Sequence, residues 1–298
     1  MASWRFEAIG THWEVETTDP LPGSTTAAVT AEIARFDREW SRFRADSDVA
    51  RLGREGGTLA SADAGPMLDA YRELSAATSG AVNPLVADSL DALGYDAAYS
   101  LVAGDPVRAP LAWEESVSWT AAAVTVSAPV LLDVGAIGKG RLVDLVMGAL
   151  ARVPGDVVVD AGGDIRVRGA GVRIGLEHPY DPTKAIGVVK VHDQALCASA
   201  INRRAWGSGL HHVLDARTGL PVRTWAATWA LAPDAMTADA IATALFFDGG
   251  VELAQAWDVE WVRMSTDGRV QRSPGCPAEL FLTGGAASPT GTREEWTP

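Results

Sequence analysis

The sequence predicts an α+β fold, in which mixed, largely antiparallel sheets pack against helices. Segments with strand character come in adjacent pairs joined by short turns, and strand–helix–strand alternations are few, which favours hairpins over a doubly wound sheet. The 298 residues are 47% apolar, enough for a well-buried core. Because no internal repeat or long linker is visible, we expect a single domain over residues 1–283. The Gly/Ser/Thr/Pro-rich segment 284–298 is predicted to be a flexible tail.

The first half of the chain predicts more helix than strand. Loose alternation over residues 4–16 indicates a strand, and apolar residues at helical spacing indicate a helix over 24–43. A second helix is predicted over 62–78, ending close to Gly80. We expect a connecting loop over 95–122. The next strand pair is predicted over 124–133, broken at Ala128-Pro129.

The second half alternates short strands with short helices. A glycine-rich turn over 135–140 leads into a helix that is predicted to run through Arg152, and two strands flank a Gly-Gly step within 157–167. The remaining predicted strands lie at 172–176, 185–191, 195–200, 225–232, 260–264 and 269–272, with helices at 237–247 and 251–257.

Charge and composition exclude several classes of partner. The net charge is −13 and the pI is about 4.8, whereas binding to nucleic acid or an anionic membrane requires clustered Lys and Arg. No apolar run reaches membrane-spanning length, and the first residues lack the pattern of a signal peptide or lipid anchor. Two cysteines in a chain of this length do not form a disulfide framework, and Cys197, within an apolar run, is expected to be a buried residue. We therefore expect a cytoplasmic protein, with its oligomeric state left open.

The first candidate site is the segment D-V-G-A-I-G-K-G at 133–140. Glycines between a strand and a helix let the backbone approach a ligand, and the helix N-terminus offers free amides to a phosphate. Lys139 adds a cation there. The spacing matches neither a Walker loop nor a dinucleotide fingerprint, and taken alone the segment is better explained as an ordinary tight turn.

Two further segments are ambiguous when taken singly. D-A-G-G-D at 160–164 is either a hairpin turn or a floor beneath a flat ring, where a side chain would collide. H-H-V-L-D-A-R-T-G-L-P at 211–221 contains adjacent histidines. Because adjacent side chains of extended backbone point to opposite faces, only one of His211 and His212 is expected to face a site.

The fourth segment, A-D-A-I-A-T-A-L at 238–245, contains Asp239 and Thr243 at helical i,i+4 spacing. A helix places these side chains on one face. Carboxylate and hydroxyl oxygens are hard ligands suited to Mg²⁺. An i,i+4 hydrogen bond or a solvated pair explains the same spacing.

Taken together and in this order, the four segments resemble the ApbE family of FAD:protein FMN transferases. Upstream segments strengthen the resemblance: I-G-T at 9–11, S-R-F-R-A-D-S at 41–47, and G-A-V-N-P-L-V at 80–86 followed by Gly94-Tyr95. The resemblance covers roughly residues 9–250. It implies an ApbE-like, T-fold-related architecture, FAD as substrate, Mg²⁺ as cofactor, and an acceptor flavoprotein that carries the modified Thr or Ser.

The resemblance also implies roles for individual residues. The metal ligands are the Ala136 carbonyl, the Asp239 carboxylate and the Thr243 hydroxyl, and His212 and Asp239 are the catalytic residues. Positions matching the family's FAD contacts are Ile9, Phe43, Asn83, Pro84, Leu85, Asp133, Lys139, Gly162, Gly163 and His212. Phe43 is expected to stack on a ring of the ligand.

The sequence departs from the family pattern at Ile9, Asn83, Gly138 and Ala216, which stand where Met, Asp, Ala and Pro are usual. None of these removes a proposed metal side chain, although Asn83 and Ala216 bear on flavin placement. Three alternatives stay open: FAD pyrophosphohydrolysis to FMN and AMP, a flavin carrier or sensor without turnover, and a generic Mg²⁺–nucleotide-binding protein.

Overall fold

The computed structural model describes residues 1–281 and the short strand 294–295. Its α-helices are α1 (Gly23–Trp40), α2 (Asp48–Glu55), α3 (Ala64–Ala77), α4 (Ala87–Ala92), α5 (Gly138–Ala149), α6 (Ala235–Ala244) and α7 (Gly250–Ala256), with a 3₁₀ turn at Trp113–Glu115. The strands are β1 (Ala2–Ala8), β2 (Thr11–Thr17), β3 (Gly57–Ala60), β4 (Val117–Thr120), β5 (Ala123–Val126), β6 (Val157–Asp160), β7 (Asp164–Arg168), β8 (Val172–His178), β9 (Asp181–Val191), β10 (Ala195–Ala200), β11 (Ala205–Trp206), β12 (Leu210–His211), β13 (Leu214–Asp215), β14 (Leu220–Pro221), β15 (Trp225–Ala232), β16 (Glu260–Ser265), β17 (Arg269–Arg272), β18 (Glu279–Leu280) and β19 (Glu294–Glu295).

A nine-stranded antiparallel sheet forms the centre of the fold, in the order β1-β2-β6-β7-β10-β15-β16-β17-β19. The predicted α+β class with largely antiparallel sheets is confirmed. Two smaller, three-stranded sheets have the strand orders β18-β9-β8 and β3-β5-β4. The pairs β11–β12 and β13–β14 form short hairpins.

The central strands are buried on both faces, which explains their continuous apolar runs. In β6, Val157 and Val159 belong to the core under the helices, whereas Val158 faces a second core shared with β8 and β9. The same alternation places Cys197 in the first core and Leu196 in the second. Because side chains alternate across a strand, one apolar run serves both cores. Cys197 is buried, as expected.

Several element predictions were wrong in detail. The single strand expected over 4–16 is a hairpin of β1 and β2 whose two-residue turn, Ile9-Gly10, has positive φ at both positions. Ile in a left-handed turn is not the Asn-Gly or Asp-Gly signal by which such turns are recognised. The loop predicted over 95–122 contains β4. Residues 127–133, predicted as strand, are not strand; there the Asp133 amide donates to the Pro84 carbonyl instead.

Several short helices and strands were not predicted from the sequence. The helices α2 and α4 and the strands β3 and β11–β14 have no counterpart in the sequence prediction, since they span only two to eight residues each. Most of the predicted tail 284–298 lies outside the described residues, and only β19 within it is described. Among the described helices, none is both long and apolar enough to cross a membrane.

The crossing of α5 and α6 positions the candidate site. A Cβ added at Gly140 of α5 would lie 2.2 Å from the Ala235 carbonyl oxygen and 2.7 Å from the Asp239 Cβ. Only glycine allows the two helices to approach this closely. Asp144, one turn later on α5, accepts hydrogen bonds at 2.9 Å from the Ala235 and Met236 amides and so caps the start of α6.

Candidate active site

A cleft of about 590 Å³ lies where the β1–β2 turn, the end of α1, the start of α5 and the β10–β11 loop meet. A smaller chamber of about 140 Å³ adjoins it and shares part of its lining. The residues common to both linings are Phe43, Asp133, Gly135, Ser199, Arg204 and His212. The candidate site is therefore a cleft with a side chamber, a shape suited to a ligand of two parts.

Buried polar contacts fix the loop before α5. Asp133 accepts 2.6 Å hydrogen bonds from the Gly135 amide and from the buried guanidinium of Arg42. The Tyr71 hydroxyl donates to the Asp133 carbonyl at 3.0 Å and accepts from the Ala136 amide at 3.3 Å. Burial, with the nearby Asp133 charge, raises the pKa of Tyr71 well above its usual value, so this phenol stays neutral. The loop backbone is thus fixed by the Asp133 side chain and by the Tyr71 hydroxyl.

Three of the predicted ligand atoms belong to elements that meet at this loop. The Thr243 hydroxyl donates to the Ala136 carbonyl at 3.3 Å, so these two oxygens are adjacent. Asp239 lies one turn earlier on α6 and accepts from the Gly140 amide at 2.9 Å. Asp239 is buried, and burial, together with the charge of Asp164, raises the pKa of its carboxyl well above the usual value. With its pKa raised in this way, the carboxyl keeps its proton unless a cation lies beside it.

Lys139 provides one positive charge nearby, but it is directed to a different carboxylate. Its ammonium lies 3.1 Å from Asp164, which is fully buried. No donor in the described chain meets either Asp164 oxygen at hydrogen-bonding geometry, so this contact is chiefly Coulombic. Burial alone would lower the pKa of Lys139, but the carboxylates of Asp164 and Asp239 outweigh it and raise that pKa. The lysine remains charged beneath the cleft.

The two adjacent histidines have different surroundings, as the extended backbone predicts. The His211 ring is buried and its Nε2 lies 2.9 Å from the Val222 carbonyl. His212 lines both the cleft and the chamber, and its buried Nδ1 has no hydrogen-bond partner among the described residues. Burial, assisted by the charge of Arg204, lowers the pKa of His212 to about 3. The ring is therefore neutral at physiological pH.

The rim of the cleft contains several of the predicted contact residues. Ile9 lines it in a left-handed conformation (φ 47°), which is strained for a β-branched side chain. Gly162 also lines it, and a Cβ there would lie 2.3 Å from the Thr11 hydroxyl. Gly163, the next residue, does not line the cleft; its φ of 108° is a conformation that requires glycine. Phe43 lines the rim and stacks on Tyr99, with ring centroids 5.2 Å apart.

Residues 83–85 contribute mainly hydrogen bonds that hold neighbouring loops in place, and only Asn83 lines the side chamber. Asn83 lines the chamber, but its amide donates to the Pro110 carbonyl and its Oδ1 accepts from the Leu85 amide, both at 2.8 Å. The Pro84 carbonyl accepts from the Asp133 amide at 2.8 Å. Neither Pro84 nor Leu85 is among the lining residues of the cleft or the chamber. Of these two residues, Pro84 holds the loop at Asp133.

Sequence reasoning missed several residues of the site. Arg42 was within a quoted motif but was given no role, although it binds Asp133, Asp91 and the Tyr95 carbonyl. Tyr71 and Arg204 carried no local signal, because each is brought to the site by tertiary packing from a segment outside every motif. A polar residue inside the apolar pattern of a helix, as Tyr71 is on α3, is the only hint the sequence offers.

The described residues contain no group of three or more His, Cys, Asp or Glu side chains arranged to hold a metal. The proposed magnesium donors are one carboxylate, one hydroxyl and one backbone carbonyl, which is not a group of this kind.

Comparisons with known proteins identify the relationship. The profile of the ApbE family matches residues 9–262. A protein of Rhodobacter capsulatus named FAD:protein FMN transferase is 27% identical over 95% of this chain, and a Klebsiella pneumoniae protein of the same name is 32% identical over 41% of it. The chain spans 59% and 40% of the lengths of these two relatives.

Solved structures share the fold. The ApbE protein of Thermotoga maritima superposes with a TM-score of 0.78 at 23% identity, covering 92% of this chain and 97% of that one. The apo flavinyl transferase ApbE of Pseudomonas stutzeri gives 0.74 at 20% identity, covering 90% and 92%. The flavin transferase ApbE of Vibrio cholerae gives 0.71 at 17% identity, covering 94% and 96%. The ApbE-like architecture expected from the sequence is therefore confirmed.

Proposed function

This chain belongs to the ApbE family, and from that premise we propose that it transfers the FMN half of FAD to a Thr or Ser hydroxyl of an acceptor protein, releasing AMP in a Mg²⁺-dependent reaction. The names of the two curated relatives support the transferase class. FAD is the substrate, and the acceptor is a separate flavoprotein.

One observation carries the proposal: segments that are far apart in the sequence line one cleft. Ile9, Phe43, Asp133, Lys139 and His212 all line it. Each was selected by its motif, without knowledge of the fold. Convergence of independent motifs into one concavity is the expected property of a functional site.

The donor atoms fit a magnesium ion. Ala136 O and Thr243 Oγ1 are adjacent oxygens, and the Asp239 carboxylate is buried one helical turn away, with a raised pKa that a cation would reverse. Hard oxygen donors in small number suit Mg²⁺, because phosphate oxygens and water complete its shell. Magnesium bound there supplies Lewis-acid neutralisation of the charge that develops on the phosphates.

The reaction forms one bond and breaks one. The acceptor oxygen attacks the phosphorus of the FMN half, a phosphoester bond forms, and the pyrophosphate bond to AMP breaks, with AMP keeping the bridging oxygen. The hydroxyl proton requires an acceptor, and the neutral ring of His212 faces the cleft. A pKa of about 3 makes the ring by itself a weak base. An anionic pyrophosphate beside the ring favours its protonated form and so raises that pKa toward a useful range.

The test is transfer to a defined acceptor. Incubation with FAD, Mg²⁺ and a candidate acceptor should increase the acceptor mass by one FMN moiety, with one AMP released per transfer. Release of free FMN and AMP without a change in acceptor mass would identify a pyrophosphohydrolase instead. FAD binding without turnover in the presence of several acceptors would favour a carrier or sensor. Tighter binding of FMN than of FAD would contradict a site built around the dinucleotide.

A further inference from the structure

The cations that line the cleft are almost all neutralised by the protein itself. Five Lys or Arg residues line it: Arg42, Arg44, Lys139, Arg203 and Arg204. The first four form ion pairs with carboxylates at 2.6–3.1 Å. Arg204 has no carboxylate within ion-pair distance in the described part of the chain. In a protein of net charge −13, an unpaired cation in a cleft is a feature that requires an explanation.

Arg204 is nevertheless held in place. One of its terminal nitrogens donates to the Tyr95 hydroxyl at 2.5 Å, and its guanidinium lies 5.8 Å from the Tyr95 ring centroid. The Arg204 carbonyl accepts from the His212 amide at 3.2 Å, which ties the backbone to the candidate base. Since a guanidinium has five N–H donors, most of them remain for a ligand.

The position of Arg204 indicates which part of a ligand it meets. It lines the side chamber together with His212, Ala136 and Thr243, the residues assigned above to the proton and to the metal. A group bound between these residues would face a cation on one side and hard oxygen donors on the other. Phosphate is the group with matching chemistry, because a guanidinium binds phosphate oxygens bidentately.

We propose that Arg204 is a specificity-determining residue that binds a phosphate oxygen of the dinucleotide substrate, and that Tyr95 positions its guanidinium. This inference rests on the proposed function, since it assumes that the cleft takes FAD. It adds a residue that no motif indicated. It also explains why Arg204, which pairs with no carboxylate among the described residues, lies beside the reacting groups.

The experiment measures equilibrium binding by flavin fluorescence and needs neither acceptor nor turnover. Arg204→Gln should weaken FAD binding roughly 10- to 100-fold, the range for loss of a charge-assisted hydrogen bond. Binding of riboflavin, which has no phosphate, should stay unchanged. Arg204→Lys should lose less, because it retains the charge but not the bidentate geometry. Tyr95→Phe should show a smaller loss, because the guanidinium stays but is less well held.

Arg173→Gln is the matched control. It removes the same charge from an exposed arginine of β8 that pairs with Glu279 outside the cleft, and it should leave FAD binding unchanged. The salt dependence of FAD binding provides a second measurement, because it should become shallower in Arg204→Gln and not in Arg173→Gln. This comparison decides the case if riboflavin binds too weakly to titrate.

The outcomes separate the inference from the proposed function. Failure of the wild-type protein to bind FAD contradicts the proposed function. Normal FAD binding by wild type and by Arg204→Gln overturns the role of Arg204 alone. Equal losses of FAD and riboflavin binding would indicate a structural role and overturn it too, as would a larger loss in Arg203→Gln than in Arg204→Gln.

Discussion

Asp239 has two separable roles at the residue scale. Its carboxylate is a proposed metal ligand, and it also accepts the Gly140 amide hydrogen bond at the helix crossing. The side chain lines the cleft but is buried, with 3% of its surface exposed. Asp239→Ala leaves the Gly140 amide without its acceptor, at a cost of about 1–3 kcal/mol, so loss of activity in this variant is ambiguous.

Asp239→Asn separates the two roles. The amide oxygen still accepts from Gly140, but the charge is lost. We expect a protein at least as stable as wild type without metal, because burial disfavours the carboxylate, and a turnover reduced by roughly 10³-fold or more. Added Mg²⁺ should raise the melting temperature of wild type and not of the variant. Near-normal Mg²⁺-dependent AMP release by folded Asp239→Asn would refute the metal assignment.

The histidine pair gives a second prediction at the residue scale. If His212 accepts the acceptor proton, His212→Ala should slow transfer by about 10²–10⁴-fold at saturating FAD and change FAD affinity only modestly. If the ring only packs on the flavin, affinity should fall while the saturated rate persists. Single-turnover rates and flavin titration distinguish these cases.

His211→Ala is the comparison for that pair. Because His211 is buried and bonded to the Val222 carbonyl, we expect a loss of about 1–3 kcal/mol in the free energy of unfolding, measured by denaturant titration, with a normal saturated rate. A larger rate loss in His211→Ala than in His212→Ala would mean that the other ring serves the reaction.

At the scale of elements, the contact between α5 and α6 brings the proposed ligands together. Ala136 precedes α5, whereas Asp239 and Thr243 lie on α6. Their distance depends on how closely the helices approach at Gly140. Asp144, paired with Arg166, caps α6 from α5. The geometry of the site is thus a property of the helix pair.

A pair of glycine substitutions on α5 tests this dependence. Gly140→Ala places a methyl group 2.2 Å from the Ala235 carbonyl and should destabilise the protein by several kcal/mol, of the order of severe core overpacking. Gly148→Ala, on the same helix, has no heavy atom within 4 Å of the added Cβ. It should raise stability by about 0.5–1 kcal/mol through helix propensity. Thermal denaturation of both variants measures the effect, and equal melting temperatures would contradict it.

At the scale of the whole molecule, burial of His212 beside the cleft makes the stability of the fold depend on pH. Its pKa is about 3 in the fold and about 6.5 when unfolded. The folded state therefore binds fewer protons than the unfolded state between these values, so stability is present above pH 6.5 and decreases as the pH falls toward 3.

We expect His212→Gln to reduce that acid sensitivity. The fall in melting temperature between pH 7.5 and pH 5 should be smaller in the variant than in wild type, measured without ligand. FAD at saturating concentration should reduce the same fall in wild type, because an anion beside the ring favours its charged form. Identical pH dependence in the two proteins would show that the His212 ring is not shielded from solvent in the folded protein.

The sequence by itself determined the fold class, the family and the segments that meet at the cleft. The informative features are local patterns, which can be recognised without knowing the fold. They are the glycines at 135–140 and 162–163, the i,i+4 pair on α6 and the adjacent histidines. The continuous strands β6, β7, β10 and β15 were predictable for the same reason. Short elements such as β11–β14 were not, because long-range pairing decides them.

Only the tertiary structure decided burial, charge pairing and the supporting contacts. Lys139 pairs with Asp164 across 25 positions of sequence, and Tyr71 reaches the 133–136 loop from α3, 62 residues earlier. Pro84 and Leu85 were matched as ligand contacts, but neither lines the cleft, and Pro84 instead supports the loop at Asp133. Whether a side chain is exposed, paired or free depends on neighbours that are remote in sequence. For this reason no local pattern could predict that Asp239 is buried or that the charge of Arg204 has no carboxylate partner among the described residues.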